Sequence, residues 1–155
     1  AIEKAGINLC TIYRPLNNPF LNIIMEKIRK ENICKNQIKK GKSGTRELLN
    51  LFKKNFSVAL MIDQRVSEGK SINFFNRPAK TTTIPAQLVK KYNCKIMPVY
   101  IERLKNSYFK LNFDEPIKFD NELSIEQISL DLNKILEKMI IKNPDQWIWS
   151  HDRWK

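Results

Sequence analysis

Histidine, glycine and cysteine are scarce in this chain, and long apolar runs are missing altogether. One histidine, His151, stands in 155 residues. Alone it builds no histidine-rich metal cluster, and no metal-ligand spacing or Ser-His-Asp arrangement accompanies it. Four glycines and seven prolines exclude a collagen-like or linker composition. The three cysteines, Cys10, Cys34 and Cys94, are odd in number and contain no Cys-x-x-Cys pair. They are expected to be buried free thiols of a reducing compartment. The longest apolar runs, residues 58–62 and 96–101, fall far short of the roughly 18–20 residues that span a bilayer.

What is present suits one folded domain with a real core: 42% hydrophobic and 28% charged residues, with Ile, Leu and Phe well represented. Charge is the most informative bulk property. Lys and Arg number 28 against 16 Asp and Glu, a net +12. Residues 1–113 hold 22 basic and 7 acidic side chains, whereas residues 114–155 hold 6 and 9. A field of that sign draws anionic partners, whether phosphates, nucleic acid, an anionic membrane or an acidic protein.

Along the chain, residues 1–5 read as the last turn of a helix stopped by Gly6, so the sequence opens as if inside an α/β unit. Position 1 is Ala, as at a cut. Residues 7–13 read as a buried strand ended by Arg14-Pro15. Asn17 or Asn18 caps a helix over 19–30, whose Leu21, Ile24, Met25 and Ile28 fit one inward face. A short strand is expected at Ile33-Cys34, a helix from Ser43 or Thr45 to Lys54, and a strand over 56–62 with Asp63-Gln64-Arg65 just past its end. Residues 66–80 read as a long loop, 81–92 as a helix, and 95–103 and 108–113 as strands. Ser124 opens the last helix in a capping box with Gln127, and Pro144 stops it. The expected fold is α/β, a mostly parallel central sheet flanked by helices, incomplete at the N-terminus. Residues 124–155 form its last helix and a Trp-rich tail.

In such sheets ligands bind beyond the carboxyl ends of strands. Arg14 and Asp63 both occupy such ends, and if their strands are neighbours they share one rim. Arg suits bidentate phosphate or carboxylate contacts, or a surface ion pair. Asp63 suits orienting a hydroxyl, holding Arg14, or capping a turn. Gly41-Lys42-Ser43-Gly44 lacks the first glycine of a P-loop, because Asn36 stands there, and reads as a basic turn before a helix. Phe74 and Phe75 beside Arg77 suit a lipid interface or, the favoured reading, a fold back over the core, and Trp147, Trp149 and Trp154 suit an interfacial belt or, again favoured, a lid on it. His151 reads as structural, or as standing behind a ligand contact, in preference to a general base.

Four segments carry a resemblance. They are Tyr13-Arg14-Pro15 with Asn18-Pro19; the run ALMIDQ at 59–64; residues 74–100, which follow a Phe-Phe-x-Arg-Pro-Ala, Thr-rich, Met-Pro-Val pattern; and the tail over 144–155 with its Trp-x-Trp-x-His-x-Arg-Trp-Lys. Together they resemble the lipid A biosynthesis acyltransferases, the lauroyl/myristoyl group of the lysophospholipid acyltransferase superfamily, in order along nearly the whole chain.

The resemblance implies transfer of a fatty acyl chain from acyl carrier protein to a hydroxyl of a phosphorylated lipid A precursor, with no cofactor and no metal. It implies a His-x-x-x-x-Asp/Glu motif whose histidine is the general base. No histidine precedes His151, so base and acidic partner are expected upstream of Ala1, and these residues alone are expected to be inactive. His151 matches the tail pattern and does not inherit that role. Tyr13 and Arg14 fall on the second block, Asp63 and Gln64 on the third, Phe75 and Arg77 on the loop pattern, and Pro98 on the fourth. These are the candidate substrate-binding residues. Ser150 and Asp152 depart from the pattern. Implied partners are acyl carrier protein, the anionic precursor and the membrane surface at the cytoplasmic face of the bacterial inner membrane, with no nucleic acid. A basic nucleic-acid-binding module and an inactive membrane-peripheral scaffold are the competing readings. The former lacks any recognisable helix-turn-helix, RNA-recognition or zinc pattern.

Overall fold

A computed structural model describes residues 2–155, without the side chains of Lys4 and Lys42. Its chain divides into two compact units at Met61 and Ile62.

In the first unit a single 3-10 turn, Glu3–Ala5, ends at Gly6 with φ 84°, a left-handed stop that glycine adopts without a Cβ penalty. Ala1, part of the expected helical turn, lies outside the described residues. Strand β1 (Leu9–Tyr13) pairs in parallel with β2 (Asn36–Lys39) on one side and β3 (Ser57–Ala59) on the other, giving the order β2-β1-β3. The crossovers are α1 (Pro19–Asn32) and α2 (Lys42–Lys53). Leu9, Cys10, Cys34, Ile38 and Leu48 are buried. α2 runs close over β2, because a Cβ on Gly44 would meet the Lys39 carbonyl oxygen at 1.8 Å. β2 lies later than the strand expected at Ile33-Cys34, and β3 is shorter than the expected 56–62.

Helix α1 is inside out. Asn18 caps it as expected, its Oδ1 accepting from the Phe20 and Leu21 amides. Yet its half-buried positions are Asn22, Met25, Glu26 and Arg29, spaced as one helical face. Leu21, Ile24 and Ile28, expected to face inward, are 52%, 56% and 44% exposed, and Phe20 and Ile23 are 80% and 68% exposed. The reason is polar. Tyr13 Oη and Asn22 Nδ2 both donate to Glu26 Oε1, at 2.6 and 2.7 Å, Lys39 Nζ lies 3.4 Å from it, and the Arg29 guanidinium sits 5.0 Å over the Tyr13 ring.

The second unit is built on α4 (Ile125–Lys142). Ser124 Oγ accepts from the Gln127 amide, but the Gln127 side chain turns to Asp131, so only half of the expected capping box forms. One stretch of α4 packs with α3 (Ile84–Tyr92): Ala86, Val89, Phe119, Ile128 and Leu132 form that core. Further along, Ile140 packs with Phe74 and Ala79 of an antiparallel hairpin, β4 (Lys70–Phe74) and β5 (Arg77–Thr81). This hairpin replaces the loop expected over 66–80. Its two-residue turn, Phe75-Asn76, has φ 48° and 58°. Such turns favour Asn-Gly, and a Phe there is uncommon. Glu137 Oε1 accepts the Phe75 amide at 2.7 Å, and the Phe74 and Phe75 rings meet edge to face at 4.9 Å.

β6 (Val99–Arg103) and β7 (Phe109–Phe113) form a second antiparallel hairpin. The expectation of one mostly parallel central sheet is therefore corrected. The fold is α/β, with a small parallel sheet in the first unit and antiparallel pairs in the second. β6 was expected to join the parallel set, but its register partner is the strand that follows a tight turn. At the outer edge of β6 the Gln146 side chain copies a strand: its Oε1 accepts the Arg103 amide at 2.8 Å and its Nε2 donates to the Arg103 carbonyl at 3.1 Å.

Candidate active site

The candidate residues divide between the units. In the first, Tyr13 is the last residue of β1, half-buried, and Arg14 follows it, exposed at the carboxyl end of the strand. Burial, then the hydrogen bond to Glu26, pushes the Tyr13 hydroxyl up to about 12. Hydrogen bonds from Tyr13, then Asn22, hold the Glu26 carboxyl below its ordinary value. The segment leading to Arg14 is thus tied to α1 by a phenol–carboxylate contact. β1 and β3 are neighbours, as a shared rim requires, but β3 stops at Ala59 and Asp63 belongs to the second unit.

In the second unit, Asp63 is half-buried in a bend and Gln64 beside it is exposed. The bend is fastened twice. The Val66 amide donates to the Lys80 carbonyl at 3.2 Å, and the Arg65 amide donates to His151 Nε2 at 3.4 Å. His151 acts there as an acceptor holding backbone, consistent with a structural role. Phe75 forms the hairpin turn, and the Arg77 guanidinium lies 5.1 Å over the Trp154 ring. Pro98 precedes β6, and its carbonyl accepts the Asp114 amide at 3.0 Å.

The aromatic cluster behind this segment is the expected lid in part. Phe74 is fully buried, with Trp147 and Trp154 at 5.8 and 5.6 Å, and Trp154 Nε1 donates to the Phe74 carbonyl at 3.0 Å. Trp149 is 51% exposed and departs from that reading. Arg153 enters the cluster with no exposure at all. It donates to the Lys80 carbonyl and to Thr81 Oγ1, and lies 5.3 Å over the Phe74 ring. Burial pulls its guanidinium below the ordinary value, and the Asp63 carboxylate opposes that shift. Sequence reasoning assigned Arg153 no role. The available signal was an arginine flanked by tryptophan.

Two clefts of about 420 and 500 Å³ lie elsewhere, the first against α2 at Ser43, Arg46, Glu47 and Asn50, the second beside β6 at Arg103, Phe109 and Gln146. Neither is lined by a candidate residue. Among the described residues no group of His, Cys, Asp and Glu could hold a metal ion.

The model of one protein family, bacterial lipid A biosynthesis acyltransferase, matches residues 1–155. The chain belongs to that family. No curated protein matches it. Membership identifies acyl transfer in lipid A biosynthesis as the family chemistry, and the family's substrates are lipids. Residues 1–113 of this acyltransferase-family chain carry the excess of Lys and Arg, 22 against 7 acidic side chains. No helix among the described residues is long and apolar enough to cross a membrane.

Proposed function

We propose that residues 1–155 are part of an acyltransferase domain that moves a fatty acyl chain from acyl carrier protein to a hydroxyl of a phosphorylated lipid A precursor. The reaction takes place at the cytoplasmic face of the bacterial inner membrane. The match over all 155 residues carries this reading. Charge supports it, since the acceptor is phosphorylated, the donor protein acidic and the bilayer surface anionic. Attack of the hydroxyl on the thioester needs a general base. The one histidine here, His151, already accepts a backbone amide in the tail. The base is therefore assigned to the His-x-x-x-x-Asp/Glu pair outside these residues, and the 155 residues alone turn over no acceptor.

In this reading Arg14 contacts phosphate or developing negative charge on the acceptor, Tyr13 fixes the strand end that carries it, and Asp63 and Gln64 line the acceptor hydroxyl. Phe75, Arg77 and Pro98 shape the surroundings. The exposed apolar face of α1 supplies a surface for lipid.

The test is acyl transfer by the enzyme carrying the His-x-x-x-x-Asp/Glu pair, with acylated carrier protein and lipid A precursor. Arg14→Ala is expected to lower the rate at least tenfold, about 1.4 kcal/mol of transition-state stabilisation. An unchanged rate removes Arg14 from the site, and turnover by the 155 residues alone refutes the placement of the base.

A further inference from the structure

Arg153 has the largest side chain among the fully buried residues described, and it is a cation. Removing a guanidinium from water is costly unless charge and hydrogen bonds compensate. Its hydrogen-bonding partners are neutral: the Lys80 carbonyl and the Thr81 hydroxyl, the latter at 2.9 Å. The Phe74 ring adds a cation–π contact. Thr81 is itself held, accepting from Asn133 Nδ2 at 3.3 Å and donating to the Ala79 carbonyl at 3.1 Å. The guanidinium is therefore fixed in place, yet its Nε has no hydrogen-bond partner.

The charge on Asp63 opposes the effect of burial on Arg153. Asp63 Oδ1 is likewise buried without a hydrogen-bond partner. Backbone geometry brings the two segments together independently of charge. Lys80 carbonyl oxygen accepts from both Arg153 and Val66, and His151, two residues before Arg153, accepts from the amide of Arg65, two residues after Asp63. The tail thus lies against the bend that carries Asp63.

We propose that Arg153 is a positioning residue for acyl transfer, holding the Asp63 carboxylate in its working orientation from inside the unit. This rests on the reading of Asp63 as a residue of the acceptor site. Arg153 has no exposed surface, so it touches no substrate and acts through Asp63. Lys80, Thr81 and Phe74 anchor the guanidinium from behind, and the charge on Asp63 completes its surroundings. An apolar side chain of similar length fills the same space without that charge. Buried ion pairs replaced by apolar groups often keep or gain stability, so packing and positioning are separable.

The experiment measures kcat and KM for acyl transfer, with Tm, in Arg153→Met, Arg153→Lys, Asp63→Asn and the Arg153→Met/Asp63→Asn pair, all in the enzyme carrying its His-x-x-x-x-Asp/Glu pair. Arg153→Met is expected to lower kcat at least tenfold with acceptor KM changed less than about threefold, and Arg153→Lys to restore at least threefold of that loss. In the pair, the loss is expected to stay within about twofold of that in Asp63→Asn alone, as for two groups acting as one. Independent, multiplying losses overturn the proposal, as does full kcat in Arg153→Met beside a loss in Asp63→Asn. Full activity in Asp63→Asn overturns instead the placing of Asp63 in the site. If Arg153→Met does not fold, Thr81→Val takes its place in the same cycle. It removes one anchor of the guanidinium and leaves the charge. A drop in kcat that vanishes in the Asp63→Asn background supports the proposal, and one that persists there overturns it.

Discussion

Glu26 is the residue on which the end of β1 turns. It accepts from Tyr13 and Asn22 and pairs with Lys39, and these contacts depress its folded-state pKa below the ordinary 4.5. A depressed carboxylate adds stability above its unfolded value, lost as pH falls through the folded one. Glu26→Gln is therefore expected to lower Tm at neutral pH, with the gap to the parent chain closing below about pH 4. A gap independent of pH would mean that the loss lies in packing. Burial, then the neighbouring Cys34 and Glu47, pushes the Cys10 thiol up to about 11, as suits a free thiol in the core. The burial of Cys10 was legible from an apolar strand. The Tyr13–Glu26 bond was not, because it joins residues 13 apart whose meeting depends on which face α1 turns inward.

The elements were more legible than their partners. α1, α2, α3 and α4 lie where caps, prolines and apolar spacing put them, within about three residues at each end. The β4–β5 hairpin escaped because its turn is Phe75-Asn76 rather than Asn-Gly, and because Pro78 argues against a strand. β6 and β7 were found as strands, but alternation says nothing about whether a strand pairs in parallel or with its neighbour. Periodicity located the apolar stripe of α1 yet not its direction, since the polar ties of Asn22, Glu26 and Arg29 outrank it. That stripe carries a prediction of its own. The Phe20→Ser/Ile24→Ser variant, altered at side chains 80% and 56% exposed, is expected to keep Tm within a few degrees. Its binding to anionic vesicles is expected to fall at least fivefold in flotation. Unchanged binding would exclude α1 as the lipid-facing helix.

At the scale of the molecule, two units with separate cores share one excess of positive charge, a net +12. If that excess draws the chain to anionic lipid, raising salt from about 0.05 M to about 0.5 M shortens the reach of the field. Vesicle binding is expected to drop more than tenfold, while neutral vesicles show little change. Equal binding to both lipids at every salt would make the attraction purely apolar. Family membership was readable from spaced blocks such as Tyr13-Arg14-Pro15 and Phe74 to Pro78, which survive differences in strand pairing. The candidate residues were named from spaced blocks, but which segments meet was not legible: the bend at Asp63 and the tail at Arg153, 90 positions later, are joined by the Arg65–His151 hydrogen bond and the shared Lys80 carbonyl, which no local pattern announces.

Gln146 has a consequence for how copies of this protein meet. A bare strand border is an invitation to a second chain, the first step of ordered aggregation. By occupying the amide and carbonyl of Arg103 with its own carboxamide, Gln146 withdraws that one pair of backbone groups from any incoming strand.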